Sequence, residues 1–149
     1  MSFPDTGFSN HLLEEYATLE YILLGDLRDL LEEYPDESNR KWLFAVLDAL
    51  LDTLPREFQL RCEGGYLAEV VEQYPNWMPQ VEQLRDEHEM LYANLGELRS
   101  RIAARSPFSL IASEVRRDLM GWMRSMLAHH RHERRMVQTA FNLELGTGD

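Results

Sequence analysis

Apolar residues recur at three- and four-residue spacing along four long stretches of the chain. This spacing places them on one face of an α-helix, and no stretch shows the sustained two-residue alternation of a half-buried strand. The first predicted helix covers about residues 11–34 and ends at Pro35, because a proline disfavours helical backbone in the residue before it. Its predicted stripe consists of Leu12, Tyr16, Leu19, Leu23, Leu27 and Leu30. The second begins near Ser38, its predicted N-cap, and ends at Gly64 and Gly65.

The second half of the chain repeats this organisation. A short helix is predicted at about residues 66–74, and the third long helix follows across residues 81–102. Ser106 and Pro107 combine an N-cap residue with a proline at the first helical position, which predicts the start of the fourth long helix. That helix extends to about residue 142, and the chain ends, about 1–8 and 143–149, are predicted to be irregular.

Four helices that each carry one apolar stripe bury those stripes most economically in an all-α, up-down-up-down four-helix bundle, here with a short extra helix between helices two and three. We therefore expect residues 1–149 to form a single helical bundle domain. Gly25, Gly96 and Gly121 lie inside predicted helices, where each costs about 1 kcal/mol relative to alanine. Close approach of a neighbouring helix is expected to offset that cost.

The composition and charge mainly exclude certain partners, a membrane span and a disulfide. The 149 residues include 26 acidic and 15 basic ones, and the resulting charge of −11 disfavours nucleic acid or an anionic membrane as a partner. The amino-terminal residues show neither the basic start nor the apolar stretch of a signal peptide, and the longest apolar run is far shorter than a membrane span. Cys62 is the only cysteine, so no internal disulfide is expected. These features predict a cytoplasmic domain.

A few positions on the predicted apolar stripes hold polar residues, and buried ionisable groups are costly unless they are paired or bind a metal. The six residues are Tyr16, Glu57, Arg61, His88, His129 and Glu133. If neighbouring helices run antiparallel, these positions fall at similar depth and form one polar layer. His130 and His132 point away from His129 around the helix and are expected to face solvent.

Two kinds of centre fit these residues. In the first, Arg61 lies between Glu57 and Glu133 and the histidines bond to the carboxylates, so the layer is a buried hydrogen-bonded network. In the second, His88, His129 and Glu133, with Glu57 as a further ligand, bind a single metal ion. The permanent positive charge of Arg61, one turn from a proposed ligand, disfavours the metal. The sequence has no Glu-x-x-His, HExxH, P-loop or GxSxG signature, so no catalysis is predicted.

Three segments resemble bacterial hemerythrin-like (HHE) domains. The sequence LPREFQLRCEGGYL, at the start of residues 54–99, is similar to the end of the family's second helix and the break after it, and the Glu-His pair at residues 87–88 is similar to the pair in its third helix. Residues 13–31 resemble the first helix, and HHRHERRMVQTAFN, residues 129–142, resembles the last. The resemblance covers nearly the whole chain and implies the hemerythrin-like bundle fold.

In that family, histidines and carboxylates from four helices hold two bridged irons that bind oxygen or serve in iron or redox sensing. Carried over by position, the resemblance places Tyr16 and Glu57 where the family has histidines, and Arg61 where it has a glutamate. The family's remaining ligands are matched by His88, His129 and Glu133. The resemblance thus implies a bundle in which half of the di-iron ligand set is replaced.

From the residues and the resemblance together, we expect a non-catalytic regulatory or interaction module that binds a protein partner and holds no cofactor. A guanidinium at residue 61 supplies charge and volume where the family has a cation. The alternative is a mononuclear metal-binding or iron- or oxygen-sensing domain, in which the retained ligands hold one iron or zinc ion.

Overall fold

The computed structural model describes the backbone of residues 6–104 and 107–147, and the side chains of residues 11–104 and 107–143. Within these residues the chain is helical and contains no strand, which confirms the predicted all-α class. The helices are α1 (Thr6–Glu32), α2 (Glu37–Glu63), α3 (Tyr66–Gln73), α4 (Met78–Ala104) and α5 (Ala112–Thr147). Single 3-10 turns at Pro75–Trp77 and Phe108–Leu110 precede α4 and α5.

The N-cap predicted for the second long helix is wrong by two residues. Asp36, not Ser38, caps α2, because its extended backbone lets the carboxylate accept the backbone N–H groups of Ser38 and Asn39 at 2.9 and 3.1 Å. The side chain of Asn39 accepts the backbone N–H of Asp36 at 2.9 Å in return, which completes a capping box. The Ser38 hydroxyl donates to the same carboxylate, and this hydrogen bond, together with the backbone N–H of Asn39, lowers the pKa of Asp36.

The predicted ends of the chain also need correction. Helix α1 already begins at Thr6 and α5 continues to Thr147, so parts of both segments predicted to be irregular are helical. Extending an existing helix adds a hydrogen bond for each residue that is fixed, which favours such extensions. The predicted N-cap Ser106 lies outside the described residues, and the Phe108–Leu110 turn separates Pro107 from the start of α5.

The four long helices pack in a ring: α1 contacts α2, α2 contacts α4, α4 contacts α5, and α5 contacts α1. The stripes predicted for the second, third and fourth long helices are buried, from Leu43 of α2 to Ala140 of α5. The stripe of α1 differs from the prediction at two positions. Leu31 is buried and Leu30 only half-buried, and Leu19 is 40% exposed whereas Glu20 is 2% exposed. A carboxylate therefore lies in the interior at a place where the sequence predicted a leucine.

The buried apolar side chains form two separate clusters. The larger cluster fills one part of the interior and includes Leu27, Leu54, Leu91 and Met126. The smaller cluster joins the end of α2 to α3, α4 and α5, and its members are Phe58, Leu67, Val70, Val81, Leu84, Met136 and Ala140. Along α4 and α5, His88, His129 and Glu133 lie between members of the two clusters. On α2, Glu57 lies between Leu54 and Phe58, and Arg61 follows Phe58.

Candidate functional site: a buried polar layer

The site is a layer of ionisable side chains between the two apolar clusters. Five of the six residues predicted for it are at most 4% exposed; they are Glu57, Arg61, His88, His129 and Glu133. Each comes from a helix stripe that is otherwise apolar, so helix geometry delivers the side chains to the interior whatever their polarity. Burial of this many charged groups requires that they satisfy one another.

Arg61 is the centre of the layer. Its Nη1 donates to Glu133 Oε2 at 2.5 Å, and its Nη2 lies 3.5 Å from Glu57 Oε1 on the preceding turn of α2. Burial opposes the charged form, but the carboxylate of Glu133, then Tyr66 and Glu20, outweigh it and raise the pKa of the guanidinium. Arg61 thus holds a positive charge between two buried carboxylates that belong to different helices.

Tyr66 completes the environment of Glu133. Its hydroxyl donates to Glu133 Oε1 at 2.9 Å, so both carboxylate oxygens have a partner. The turn between α2 and α3 makes this possible, because Gly65 crosses the last turn of α2 so closely that an added Cβ would lie 2.9 Å from the Arg61 Cα. Burial and the neighbouring Glu133 raise the pKa of Tyr66, which keeps its hydroxyl protonated as a donor.

His88 lies on the other side of the layer as a neutral imidazole. Its ring stacks on Phe58 with centroids 4.3 Å apart, and it donates a hydrogen bond to the backbone carbonyl of Leu54. Burial, followed by the positive charge of Arg61, lowers the pKa of His88 to about 3. Its Nε2 has no hydrogen-bond partner among the described residues.

His129 has a similar arrangement. Its Nδ1 lies 3.0 Å from Glu87 Oε1, and its Nε2 has no hydrogen-bond partner in the described part of the chain. Glu87 also bonds to His132 Nδ1, and these two hydrogen bonds lower the pKa of Glu87 although burial opposes the change. The rings of His88 and His129 have centroids 5.9 Å apart, so the two imidazoles are neighbours inside the layer.

A further pair extends the layer to α1. Glu20 is buried, and its Oε1 lies 2.8 Å from His130 Nε2. The expectation that His130 and His132 face solvent is therefore wrong, since both are half-buried and each bonds to a carboxylate. A pocket of about 320 Å³ reaches this region from the surface and is lined by Arg61, Tyr66, His130, Glu133 and Arg134, among others.

The layer leaves several polar atoms without hydrogen-bond partners among the described residues: Glu57 Oε2, Arg61 Nε and Nη2, and the two Nε2 atoms of His88 and His129. It also contains three deeply buried carboxylates, of Glu20, Glu57 and Glu133, whereas Arg61 is the one permanent cation among its described residues. Unsatisfied buried groups cost free energy, so the apolar packing around the layer must stabilise it.

These residues do not fit a metal ion as they are arranged. The guanidinium of Arg61 contacts both carboxylates that were proposed as ligands, and Glu133 is already bonded at both oxygens. In residues 6–104 and 107–147, no group of three or more His, Cys, Asp or Glu side chains is placed to hold an ion. The two imidazole Nε2 atoms remain as available donor atoms, without a carboxylate to join them.

Three residues of the layer were not predicted from the sequence, and one predicted residue lies outside the layer. Glu20, Tyr66 and Glu87 bond directly to predicted residues or to His130. The series Tyr16, Glu20, Leu23 has three- and four-residue spacing, and so does the series Tyr16, Leu19, Leu23. The sequence was therefore compatible with burial of Glu20. Tyr16 is half-buried, and its hydroxyl bonds to Arg56, where it raises the pKa of that guanidinium.

Comparisons of the chain with models of known protein families, with curated proteins and with solved structures found no match. The resemblance to hemerythrin-like domains therefore rests on the sequence motifs and stays a prediction. No helix in the described ranges combines the length and the apolar character needed to cross a membrane.

Proposed function

We propose that the chain is a metal-free regulatory or interaction module of the hemerythrin-like type, acting in the cytoplasm without catalysis of its own. One observation carries this proposal: Arg61, 3% exposed, lies between Glu57 and Glu133. The resemblance gives these three positions to residues of a metal centre. A fixed guanidinium there provides the positive charge that the surrounding carboxylates need.

The order of residues along each helix supports an up-down-up-down bundle. Helix α2 passes from Leu54 in the larger cluster, through Glu57, to Phe58 in the smaller cluster. Helix α4 passes through His88 in the opposite sense, from Leu84 in the smaller cluster to Leu91 in the larger one. Alternating directions of this kind are expected when consecutive long helices run antiparallel.

A gain-of-metal experiment tests the hemerythrin-like part of the proposal. The triple variant Tyr16→His/Glu57→His/Arg61→Glu restores the ligand types that the resemblance gives to these positions. We expect it to bind iron with visible charge-transfer absorption, whereas Arg61→Glu alone, the matched control, lacks the added histidines. A triple variant that folds by circular dichroism yet binds no iron contradicts the hemerythrin-like assignment.

The metal-free part is tested on the natural chain. Protein purified without added metal or chelator is analysed for iron and zinc and by visible spectroscopy. We expect far less than one metal ion per chain, because Arg61 contacts both carboxylates. Metal near one ion per chain refutes a network held by Arg61 alone.

A second candidate function, mononuclear metal binding, is favoured by the orientation of the two histidines. His129 bonds to Glu87 through Nδ1, and His88 donates to a backbone carbonyl, which leaves both Nε2 atoms unbonded among the described residues. Metal-bound histidines typically have such partners on their second nitrogen. Cobalt titration of Arg61→Met distinguishes the candidates: tight binding with tetrahedral visible bands supports the metal site, and its loss in His129→Gln identifies the ligand.

A further inference from the structure

The outer face of α1 exposes apolar side chains that none of the described residues covers. Tyr21 is 80% exposed and Ile22 is 50% exposed. Gly25 follows on the same face, and a Cβ added there would meet no atom within 4 Å. The close helix approach expected to offset the cost of this glycine is therefore not supplied by the described residues of the chain itself.

A groove with an acidic rim runs along one side of α1. It has a volume of about 430 Å³ and lies between α1 and α2, with Leu23, Leu30 and Val46 among its apolar lining. Its rim carries Asp26, Asp29 and Glu33, and the half-exposed ring of Trp42 also borders it. Within the described residues, neither Asp26 nor Glu33 has an ion-pair partner. This side of α1 thus combines apolar surface with uncompensated negative charge.

The other side of α1 has a groove of opposite charge. It has a volume of about 310 Å³, lies between α1 and α5, and is lined by Leu31, Met123 and Leu127. Its charged residues are mainly arginines, namely Arg28, Arg116 and Arg124, with Glu32 as the acidic member. The two grooves therefore flank the same helix and complement each other in charge.

We propose that the chain forms a symmetric dimer through α1, in which the acidic groove of each copy faces the basic groove of the other. A two-fold axis parallel to α1 exchanges the two sides of the helix and so brings opposite charges together. An axis perpendicular to α1 would place acidic groove against acidic groove. The two copies of α1 therefore pack in parallel and meet at Gly25. This inference goes beyond the proposed function and does not depend on the buried polar layer.

The available surface is sufficient for such a dimer. Residues 11–32 of α1 extend about 33 Å at 1.5 Å per residue. The face spans α1 and half of each neighbour, a width of about 20 Å at usual helix spacings. Each copy would contribute about 650 Å², and the total of about 1,300 Å² is at the lower end of the range for specific interfaces.

Charge reversal tests the pairing of the grooves. Asp26→Arg/Glu33→Arg makes the acidic groove basic, and Arg28→Glu/Arg124→Glu makes the basic groove acidic. We expect each variant alone to sediment as a monomer at concentrations where the natural chain is a dimer. An equimolar mixture of the two variants should form a dimer again, because every groove then faces its opposite. Asp86→Arg/Glu89→Arg on α4 is the matched control and should remain dimeric.

Cysteine crosslinking tests the direction of packing. In a Cys62→Ser background, Gly25→Cys and Thr18→Cys lie two turns apart on the outer face of α1. Parallel packing places identical residues opposite each other, so both variants should form disulfide-linked dimers under mild oxidation, and Glu89→Cys on α4 should not. The proposal is overturned if the natural chain is monomeric at about 100 µM or if Thr18→Cys fails to crosslink. It is also overturned if both charge-reversal variants remain dimeric, or if their equimolar mixture forms open polymers.

Discussion

Replacing Arg61 with methionine tests the energetic role of the polar layer. The change keeps most of the side-chain volume and removes the charge that faces Glu57 and Glu133. Both carboxylates are at most 3% exposed, so neither can be rehydrated without local opening. Removing one partner of a buried ion pair costs about 3–5 kcal/mol, because the remaining charge is left uncompensated. A domain of this size has about 5–15 kcal/mol of stability in total.

The measurement is urea denaturation followed by far-ultraviolet circular dichroism, supported by thermal melts. For a chain of this length, each kcal/mol of lost stability lowers the thermal midpoint by about 2–4 °C, so Arg61→Met should lower it by about 6–20 °C. The matched control is Arg99→Met, which removes an arginine from a surface pair with Asp48. That pair is partly exposed, so its loss should cost less than about 1 kcal/mol.

A compensating variant separates lost charge from lost packing. In Arg61→Met/Glu57→Gln/Glu133→Gln the carboxylates are neutral, and residue 133 can still accept the hydrogen bond from Tyr66. We expect this variant to recover about 2 kcal/mol or more relative to Arg61→Met. If Arg61→Met costs no more than Arg99→Met, or if the neutral variant recovers nothing, the guanidinium does not stabilise the carboxylates as proposed.

Three further predictions concern pH, glycine and capping. The pKa of His88 is about 3 in the folded chain and 6.5 for an ordinary histidine, so between these pH values the unfolded chain binds more protons and the free energy of unfolding decreases as the pH falls. At about pH 4.5 the loss is about 3 kcal/mol. In urea titrations, His88→Gln should remove this pH-dependent loss. Gly96→Ala should raise the free energy of unfolding by about 1 kcal/mol, because an added Cβ meets no atom within 4 Å. Gly65→Ala should lower it, because the added Cβ contacts the Arg61 backbone. Thermal melts that rank the two variants in the opposite order contradict this prediction. Asp36→Ala should cost about 1 kcal/mol in urea denaturation through loss of the α2 cap, and no change would show that the capping box contributes little.

The sequence was sufficient to predict which side chains the second, third and fourth long helices bury. Leucine, valine and isoleucine at three- and four-residue spacing all lie on one face of a helix, and only that face can be buried favourably. The buried stripes that begin at Leu43 and Val81 therefore follow directly from the periodicity. Capping was less predictable, because Asp36 and Ser38 are both good N-cap residues. The choice depends on which backbone residue is extended, and local composition does not decide that.

The polar layer was predictable only in part, for a physical reason. His88 lies between the buried Leu84 and Leu91 on the stripe of α4, and Glu57 and Arg61 continue the α2 stripe beyond Leu54, so their burial follows from the helix period. The burial of Glu20 depends on His130, which is distant in the sequence and was expected to face solvent. The helix period fits both Leu19 and Glu20, and a tertiary hydrogen bond does not help to choose between them in the sequence. The apolar Leu19 was therefore the better candidate by hydrophobicity alone.

The position of the layer between two apolar clusters suggests why a costly network is useful in this bundle. Leucines repeat along α2, so sliding this helix by one turn, about 5.4 Å, would exchange one leucine for another at little cost. A slide towards the larger cluster would move Arg61 away from Glu133 and place Glu57 at the present position of Leu54. A charge would then lie in a cluster built from apolar residues such as Leu91 and Met126 of the other helices. Because an unpaired buried charge costs several kcal/mol, the layer penalises every register except the native one. We therefore expect the neutral triple variant to regain stability yet show broader, less dispersed side-chain NMR signals than the natural chain, and equally sharp signals would refute this role in register.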